Sequence, residues 1–411
     1  MQTVILAAGR GTRMRPLTDR RAKPMLPVAE KPLVAHTADA AIEAGATSLT
    51  LVVGYEADDV RSYFGDERGG VPVEFAVQTE QRGTADAVRA AAATLDDDAP
   101  FVVLNGDALY DVPSLAALYG DGGTPAVGSY SVTNPSSYGV LETSDDGYVT
   151  GVVEKPENPP SSLVNAGAYV FPVEAHGWLD VAESDRGELE LTDVLTTVCE
   201  QCDVRGVAFD RWLDVGRPWE LLEANEWKLA ELDARFDSIR RIDGDVSEHA
   251  ELHGTVVVEA GAEIRSGVVV EGPVLVRRGA TIGPNAYVRG HTLIGEGAKV
   301  GHAVEVKNSV LMAGATVGHL SYVGDSILGR DVNFGAGTKV ANLRHDGEAV
   351  RQMLKGKLVS SGRRKYGVVL GDGAKTGINS SLNAGVRLPT DGTVRPGETV
   401  LYDRIGESEE K

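Results

Sequence analysis

The sequence predicts two domains of different class, an α/β domain on a mainly parallel, Rossmann-like sheet followed by a parallel β-helix of hexapeptide repeats. Three observations carry this. Residues 1 to about 216 alternate short apolar runs with helical patterns, aliphatic residues recur at every sixth position beyond Asp243, and a glycine-rich loop directly follows the first apolar run. At 411 residues the chain exceeds one ordinary core. The expected boundaries are 1–217 for the first domain, 218–242 for a linker helix and 243–405 for the β-helix.

In the first domain the apolar runs Val4 to Leu6, Ser48 to Val53, Val73 to Val77 and Phe101 to Leu104 read as strands. Helical patterns at about Pro32 to Ala44, Ala57 to Phe64 and Ala85 to Thr94 lie between them. Such alternation implies βαβ units, whose ligands bind beyond the carboxyl ends of the strands. From Pro218 to about Arg235 a helical pattern with Trp219, Leu222, Trp227 and Leu229 reads as the linker.

The six-residue rhythm runs from Val258 through Ile264, Val270, Val276, Ile282, Val288, Ile294, Val300 and Val306 to Met312. Two five-residue steps then reset it, Met312 to Val317 and Val323 to Leu328, and it continues through Phe334 to Val340. It resumes at Leu370, Thr376, Leu382, Leu388, Val394 and Val400. Neither helix nor plain strand alternation has this period, whereas a β-helix stacks one apolar ladder per face. Small residues such as Ala280, Ala286, Thr292 and Ala298 fit tight corners. The interruption at about 343–366 reads as a loop thrown out from the coil, a place where function concentrates.

Composition excludes several classes. The net charge of -20 argues against a nucleic-acid partner, which calls for a basic surface. No apolar run approaches bilayer length, and the N-terminal run leads straight into glycine and charge, unlike a signal peptide, so a cytoplasmic protein without membrane attachment is expected. The acidity comes with 12 Lys against 28 Arg, a balance suited to concentrated salt, where screening removes self-repulsion. Cys199 and Cys202 form a C-x-x-C with no second pair to complete a zinc site, so an ordinary helix is expected there.

The loop carries the first chemistry. After the strand ending at Leu6, Gly9 and Gly11 let backbone N–H groups approach an anion, and Arg13 and Lys23 add fixed positive charge, which makes a triphosphate cradle. No Gly-Lys-Ser/Thr follows, so it is not a Walker loop, and the third glycine of a dinucleotide fingerprint is missing. Asp107, after Asn105-Gly106, and Asp214, in Trp212-Leu213-Asp214-Val215-Gly216, lie at strand ends and suit Mg²⁺, a hard cation that takes carboxylate oxygens.

The run Leu6-Ala7-Ala8-Gly9-Arg10-Gly11-Thr12-Arg13-Met14-Arg15-Pro16 with Lys23-Pro24 resembles the signature of the sugar-1-phosphate nucleotidylyltransferases. The resemblance implies nucleotide contacts at Leu6, Ala8, Gly9, Gly11, Thr12, Arg13 and Lys23, and catalytic roles for Arg13 and Lys23. Gln78 with Gln81-Arg82-Gly83-Thr84-Ala85 is similar to the family's base-reading segment, which implies Gln78, Gly83 and Thr84. Tyr138-Gly139-Val140, Glu154-Lys155-Pro156, Asn165-Ala166-Gly167 and Gly187-Glu188-Leu189-Glu190-Leu191-Thr192-Asp193 resemble the sugar-side motifs. They imply Gly139, Glu154 and Asn165 at sugar hydroxyls or an N-acetyl group and Lys155 at the sugar phosphate. UTP and dTTP present a similar pyrimidine edge, so the motif admits either.

The six-residue repeat is similar to the left-handed β-helix of hexapeptide acyltransferases. Gly318-His319-Leu320-Ser321-Tyr322-Val323-Gly324-Asp325 and Val332-Asn333-Phe334-Gly335-Ala336-Gly337-Thr338 resemble the acetyltransferase half of the bifunctional GlmU family, in its archaeal form. An amine that attacks a thioester must lose a proton, and histidine titrates near neutrality, so His319, placed at a five-residue step, is the candidate base. The resemblance further implies Arg289, Lys307, Tyr322, Asn333 and Asn342 at an amino-sugar phosphate, Ala336 against acetyl-CoA, and a homotrimer through the β-helix. Lys355, Lys357, Arg363, Arg364 and Lys365 cluster in an otherwise lysine-poor chain, and Arg363 and Arg364 are candidates for the phosphates of coenzyme A or of the sugar. One departure stands out: a bacterial lysine six residues after the asparagine matching Asn342 is Glu348 here. The implied activity is acetylation of glucosamine-1-phosphate followed by Mg²⁺-dependent uridylyl transfer. Its rivals are a single-activity glucose-1-phosphate uridylyl- or thymidylyltransferase with an inert β-helix, and a non-catalytic sensor on the same fold.

Overall fold

A computed structural model describes residues 1–404 apart from 121, 185 and 237–240. Residues 237–240 of the expected linker and residue 405 at the expected end of the β-helix lie outside the described residues. The chain divides into two compact units. The first comprises Met1–Arg10, Ala22–Met25 and Pro32–Asp214, and the second Gly11–Arg21, Leu26–Lys31 and Val215–Lys411.

In the first unit strands β1 (Gln2–Leu6), β2 (Ser48–Val53), β3 (Val71–Val77) and β4 (Phe101–Asn105) form a parallel block in the order β4-β1-β2-β3. Helices α1 (Leu33–Ala44), α2 (Ala57–Phe64) and α3 (Thr84–Ala91) make the crossovers, and α4 (Val112–Tyr119) and α5 (Leu191–Gln201) follow in the rest of the unit. All four expected strands and all three helices form, and α1 ends where Gly45 takes φ 114, a conformation open to glycine. β5 (Ala108–Tyr110) pairs with the later β11 (Trp212–Asp214). The rest of the sheet, β6 (Ala126–Ser131), β7 (Gly139–Thr143), β8 (Tyr148–Glu154), β9 (Leu163–Phe171) and β10 (Val204–Ala208), is mixed, because β9 runs antiparallel to both β4 and β6. Val102 and Leu104 point to one buried layer and Phe101 and Val103 to the other, so β4 is covered on both faces.

The second unit holds a left-handed β-helix of three eight-stranded parallel sheets. Successive partners lie 18 residues apart, as Val258 pairs with Val276 and Val276 with Ile294. The inward residues form one continuous core from Leu252 to Val400. Each fully buried Val, Leu or Ile there contributes about 1.5–3 kcal/mol of transfer free energy.

Two details of the expected rhythm are corrected. Ile294 pairs with Leu311, which pairs with Leu328, so the ladder passes through Leu311 and the first short step is Val306 to Leu311. Met312 is buried outside that core, where its sulfur accepts from Arg21 Nη1 at 3.4 Å. His319 lies in the step from Val317 to Val323, which is six residues in either phase, and not at a shortened one. The shortened corners carry Asn308 (φ 45) and Asp325 (φ 51) instead, in the left-handed region that Asn and Asp tolerate.

Helix α6 (Pro218–Phe236) forms where the linker is expected. Its Asn225, fully buried, accepts from Ala29 N–H at 2.8 Å and donates to Pro27 O, which ties segment 26–31 to the second unit. Segment 11–21 is held likewise, by Thr390 Oγ1 donating to Asp19 at 2.8 Å, Arg20 to Asp391 at 2.5 Å and Arg330 to the Arg20 carbonyl at 3.1 Å. The excursion at 343–366 is a hairpin, Arg351–Leu354 against Lys357–Ser360.

Candidate active sites

A cleft of about 300 Å³ opens at the carboxyl ends of β1 and β4, lined by Leu6, Ala8, Gly9, Gln78, Gly83, Thr84, Asn105 and Asp107 among others. Six of the expected nucleotide contacts thus converge on one surface of the first unit. Gly83 takes φ 130, and a Cβ there would lie 2.2 Å from the Leu189 carbonyl oxygen, so the α3 approach needs glycine. Gln78 is buried, and its amide NH₂ donates to Gly83 O and Asp86, both at 2.9 Å, which leaves its carbonyl oxygen for a ligand. Gln81, in the same segment, is a lining residue that donates to Ala8 O. Gly11, Thr12 and Arg13 belong to the second unit, where Gly11 (φ 64) precedes the turn Thr12–Met14 and Arg13 is exposed.

Lys23, only 5% exposed, places Nζ 2.5 Å from Asp107 Oδ2. Pairing of β11 with β5 sets Asp214 opposite Ala108, the residue after Asp107, so the two aspartates are brought side by side. Their converging negative charge is felt by the buried Tyr110, whose phenol is held well above its usual range by burial first and by Asp107 and Asp214 besides. Two carboxylates with a cation already on one of them fit a hard divalent metal, which commonly takes one or two carboxylates and completes its shell with phosphate and water. Among the described residues no cluster of three or more potential metal ligands forms.

The sugar-side residues also converge. Gly139 pairs with Glu154 across β7 and β8, and a Cβ on Gly139 would meet Glu154 Oε2 at 2.8 Å and Asn165 Cβ at 3.8 Å. Lys155 Nζ sits 2.7 Å from Glu154 Oε1, which Arg186 also reaches at 3.2 Å. Asn165 donates to Tyr169 OH at 2.6 Å and accepts from Gly167 N–H at 2.9 Å, which fixes its amide.

In the β-helix one outward face gathers Arg289, Lys307, Tyr322 and Asn342. Tyr322 stacks on Glu305, and Arg289 aligns with Lys307 and then Gly324. Arg289 is held by Glu305 at 2.8 Å. Asn342 donates to Tyr322 OH at 3.2 Å and to Asp325 Oδ2 at 2.5 Å, and Lys307 Nζ lies 3.4 Å from the same oxygen. A Cβ on Gly324 would meet Tyr322 OH at 2.5 Å, so glycine admits the two side chains. Asn333 is elsewhere, exposed on a different sheet between Thr316 and Lys375.

Lys365 belongs to the basic cluster that the sequence offered for the phosphates of coenzyme A or of the sugar, although only Arg363 and Arg364 were singled out there. A bridge between Leu343 and Lys365 and the Tyr366 N–H bond to Asn342 O at 2.9 Å bring the chain back beside Asn342 after the hairpin. There the Lys365 ammonium lies against Lys307, whose charge is the first cause of its lowered pKa. Glu348 is exposed. Arg364 is exposed, whereas Arg363 is clasped by Glu226 of α6 through both terminal nitrogens and is committed to that ion pair.

His319 is exposed at a corner of the coil, and its Nδ1 accepts from His302 N–H at 3.1 Å. A neutral ring that accepts there carries its proton on Nε2. Ala336 is one coil on at the same corner, next to Gly337, whose N–H donates to His319 O at 2.8 Å. Cys199 and Cys202 are free thiols, and burial pushes Cys199 up to about 11, which makes it unreactive at neutral pH.

Comparison with known proteins decides the family. The Nucleotidyl transferase family model matches residues 2–231, and the GMPPB C-terminal domain model matches residues 270–392. A Bifunctional sugar-1-phosphate nucleotidylyltransferase/acetyltransferase of Sulfurisphaera tokodaii is 36% identical over 98% of this chain and 98% of its own. The chain belongs to that bifunctional family. Family members named Bifunctional protein GlmU include that of Methanococcus vannielii, 40% identical over 100% of this chain and 96% of its own length. A UTP--glucose-1-phosphate uridylyltransferase AglF of Haloferax volcanii is 36% identical but covers only 55% of this chain, so the family's two-part length sets this protein apart from it. A UDP-glucose pyrophosphorylase solved with UDP-glucose superposes with TM-score 0.51 at 24% identity over 56% of the chain and shares the fold of that part.

Proposed function

We propose that the protein makes UDP-N-acetylglucosamine in two steps, acetylating glucosamine-1-phosphate with acetyl-CoA and then transferring a uridylyl group from UTP to the product. The observation that carries this is the convergence of Lys307, Tyr322, Asn342 and Lys365 on one face of the β-helix, a cationic and hydrogen-bonding surface that an inert coil does not require. A glucose-1-phosphate uridylyltransferase with a structural β-helix has no use for it.

In the acetyl step the amine nitrogen attacks the thioester carbonyl, the carbon–sulfur bond breaks, and coenzyme A leaves as the thiol. His319 takes up the amine proton at Nδ1 once the hydrogen bond from His302 N–H that holds the resting tautomer breaks, and it returns that proton to the departing sulfur. Lys307, Lys365 and Arg289 hold the sugar phosphate, and Tyr322 and Asn342 orient the ring. Ala336 and the exposed Arg364 lie on the acetyl-CoA path. In the uridylyl step a phosphate oxygen of N-acetylglucosamine-1-phosphate attacks the α-phosphorus and pyrophosphate departs. Asp107 and Asp214 would hold Mg²⁺, which when bound would neutralise triphosphate charge. Lys23 adds charge beside it, and Arg13 is the second cation of the loop. Gln78, Gly83 and Thr84 face the pyrimidine, and Gly139, Glu154, Lys155 and Asn165 hold the acetylated sugar phosphate.

Product analysis tests the reading. Glucosamine-1-phosphate, acetyl-CoA, UTP and Mg²⁺ together are expected to give UDP-N-acetylglucosamine, and omission of acetyl-CoA to abolish it. The same yield without acetyl-CoA would refute the first step.

The same proposal includes a homotrimer through the β-helix, supported by Leu320 and Ile378, exposed apolar residues at the corner that carries His319. It includes a cytoplasmic setting, where UTP and acetyl-CoA are available; among the described residues no helix is long and apolar enough to cross a membrane. It also includes adaptation to concentrated salt, from the net charge of -20.

A further inference from the structure

We propose that Glu226, on α6, is a positioning residue for the amino-sugar phosphate site, acting through Asn308 and Arg363 on Asp325. This rests on the assignment of Lys307, Tyr322 and Asn342 to that site.

The connection is a chain of hydrogen bonds inside the second unit. Glu226 Oε1 accepts from Asn308 Nδ2 at 2.8 Å, and the same nitrogen donates to Asp325 Oδ1 at 2.9 Å. Asp325 is 3% exposed, and its other oxygen accepts from Asn342 and faces Lys307. One amide therefore stands between two carboxylates, and each of its protons has a fixed destination. Asn308 and Asp325 stack because both occupy shortened corners, 17 residues apart, so the two deletions in the repeat create this column. Arg363 completes the arrangement, since Glu226 accepts from Nη1 at 3.1 Å and from Nη2.

The charge balance gives Glu226 its function. Arg363 is mostly buried, and after Glu226 the carboxylates whose charge it feels are Glu223 and then Asp325. A buried cation that loses its partner seeks another, because an unpaired charge there is costly. With Glu226 ionised, Arg363 is neutralised and Asp325 is left to hold Lys307 and Asn342. With Glu226 neutral, the charge of Arg363 falls on Glu223 and Asp325, and the share that falls on Asp325 weakens the anchor of the two substrate-facing groups.

The experiment uses the full chain and reads acetylation kinetics with glucosamine-1-phosphate, beside pyrophosphate release as the measure of an intact uridylyl half. Glu226→Gln keeps shape and an acceptor for Asn308 while removing the charge; KM for the amino-sugar phosphate is expected to rise about tenfold with kcat within about twofold. Glu226→Gln/Arg363→Gln removes the released cation as well and is expected to restore KM to within about threefold of wild type. A structural tie alone would not give that rescue. An unchanged KM in the single variant, or a double variant no better than the single, overturns the inference while leaving the site assignment intact. A wild-type protein that acetylates no amino-sugar phosphate overturns the site assignment and this inference with it.

Discussion

Lys23 Nζ and Asp107 Oδ2 lie 2.5 Å apart at the floor of the cleft, with the lysine 5% exposed. The pair joins the loop's fixed cation to one member of the proposed metal pair. A buried lysine is held there because the carboxylate balances it, and a triphosphate with its metal would redistribute that balance.

Lys23→Ala is accordingly expected to lower uridylyl kcat by about 100-fold or more, since in the proposed reaction the group stabilises charge that develops on the departing pyrophosphate. Acetylation should remain near the wild-type rate. Steady-state pyrophosphate release beside thioester consumption checks both; parallel loss of the two would indicate misfolding.

Lys365→Ala is expected to raise KM for the amino-sugar phosphate about tenfold, while Glu348→Ala leaves it within about twofold. The comparison decides whether the cation of this site is supplied from the far side of the hairpin, and initial-rate kinetics on the two variants suffices.

Phe334 is 1% exposed in the inward ladder, paired with Val317 on one coil and Thr376 on the next. Phe334→Ala should destabilise the second unit by about 3–5 kcal/mol, as large-to-small core changes do. Denaturant unfolding should show an earlier transition for that unit, and a shift below about 1 kcal/mol would mean the coil collapses to fill the space.

The acidic surface sets a salt dependence. At a net charge of -20 self-repulsion is strongest at low ionic strength, so the melting temperature is expected to rise as KCl increases from about 0.1 to 2 M. A flat response would remove salt adaptation from the account.

The period of six was legible because the inward residue of a β-helix face is nearly always aliphatic, Phe334 and Thr376 being exceptions, and no other element asks for that spacing. The cleft was legible because its residues sit at strand ends in short, rigid motifs. Met312 misled the phase, since Leu311 and Met312 are both apolar neighbours and only the register of Ile294 and Leu328 separates them. Lys365 was visible as part of the basic cluster, but its return beside Asn342 was hidden by the hairpin, which makes sequence distance from Asn342 uninformative. Arg363 read as a ligand cation because its partner, Glu226, is more than 130 residues away and visible only once α6 is placed. The packing of segment 11–21 with the second unit, through Asp19 and Arg20, has no local signature at all.

The central claim is that the β-helix is catalytic, and His319→Ala tests it most directly. Full-length wild type and variant are given glucosamine-1-phosphate and acetyl-CoA, and separately N-acetylglucosamine-1-phosphate and UTP. The account expects acetyl transfer to fall by about 100-fold or more in the variant, with pyrophosphate release unchanged. Acetyl transfer at the wild-type rate in His319→Ala, or none in the wild type, would contradict it.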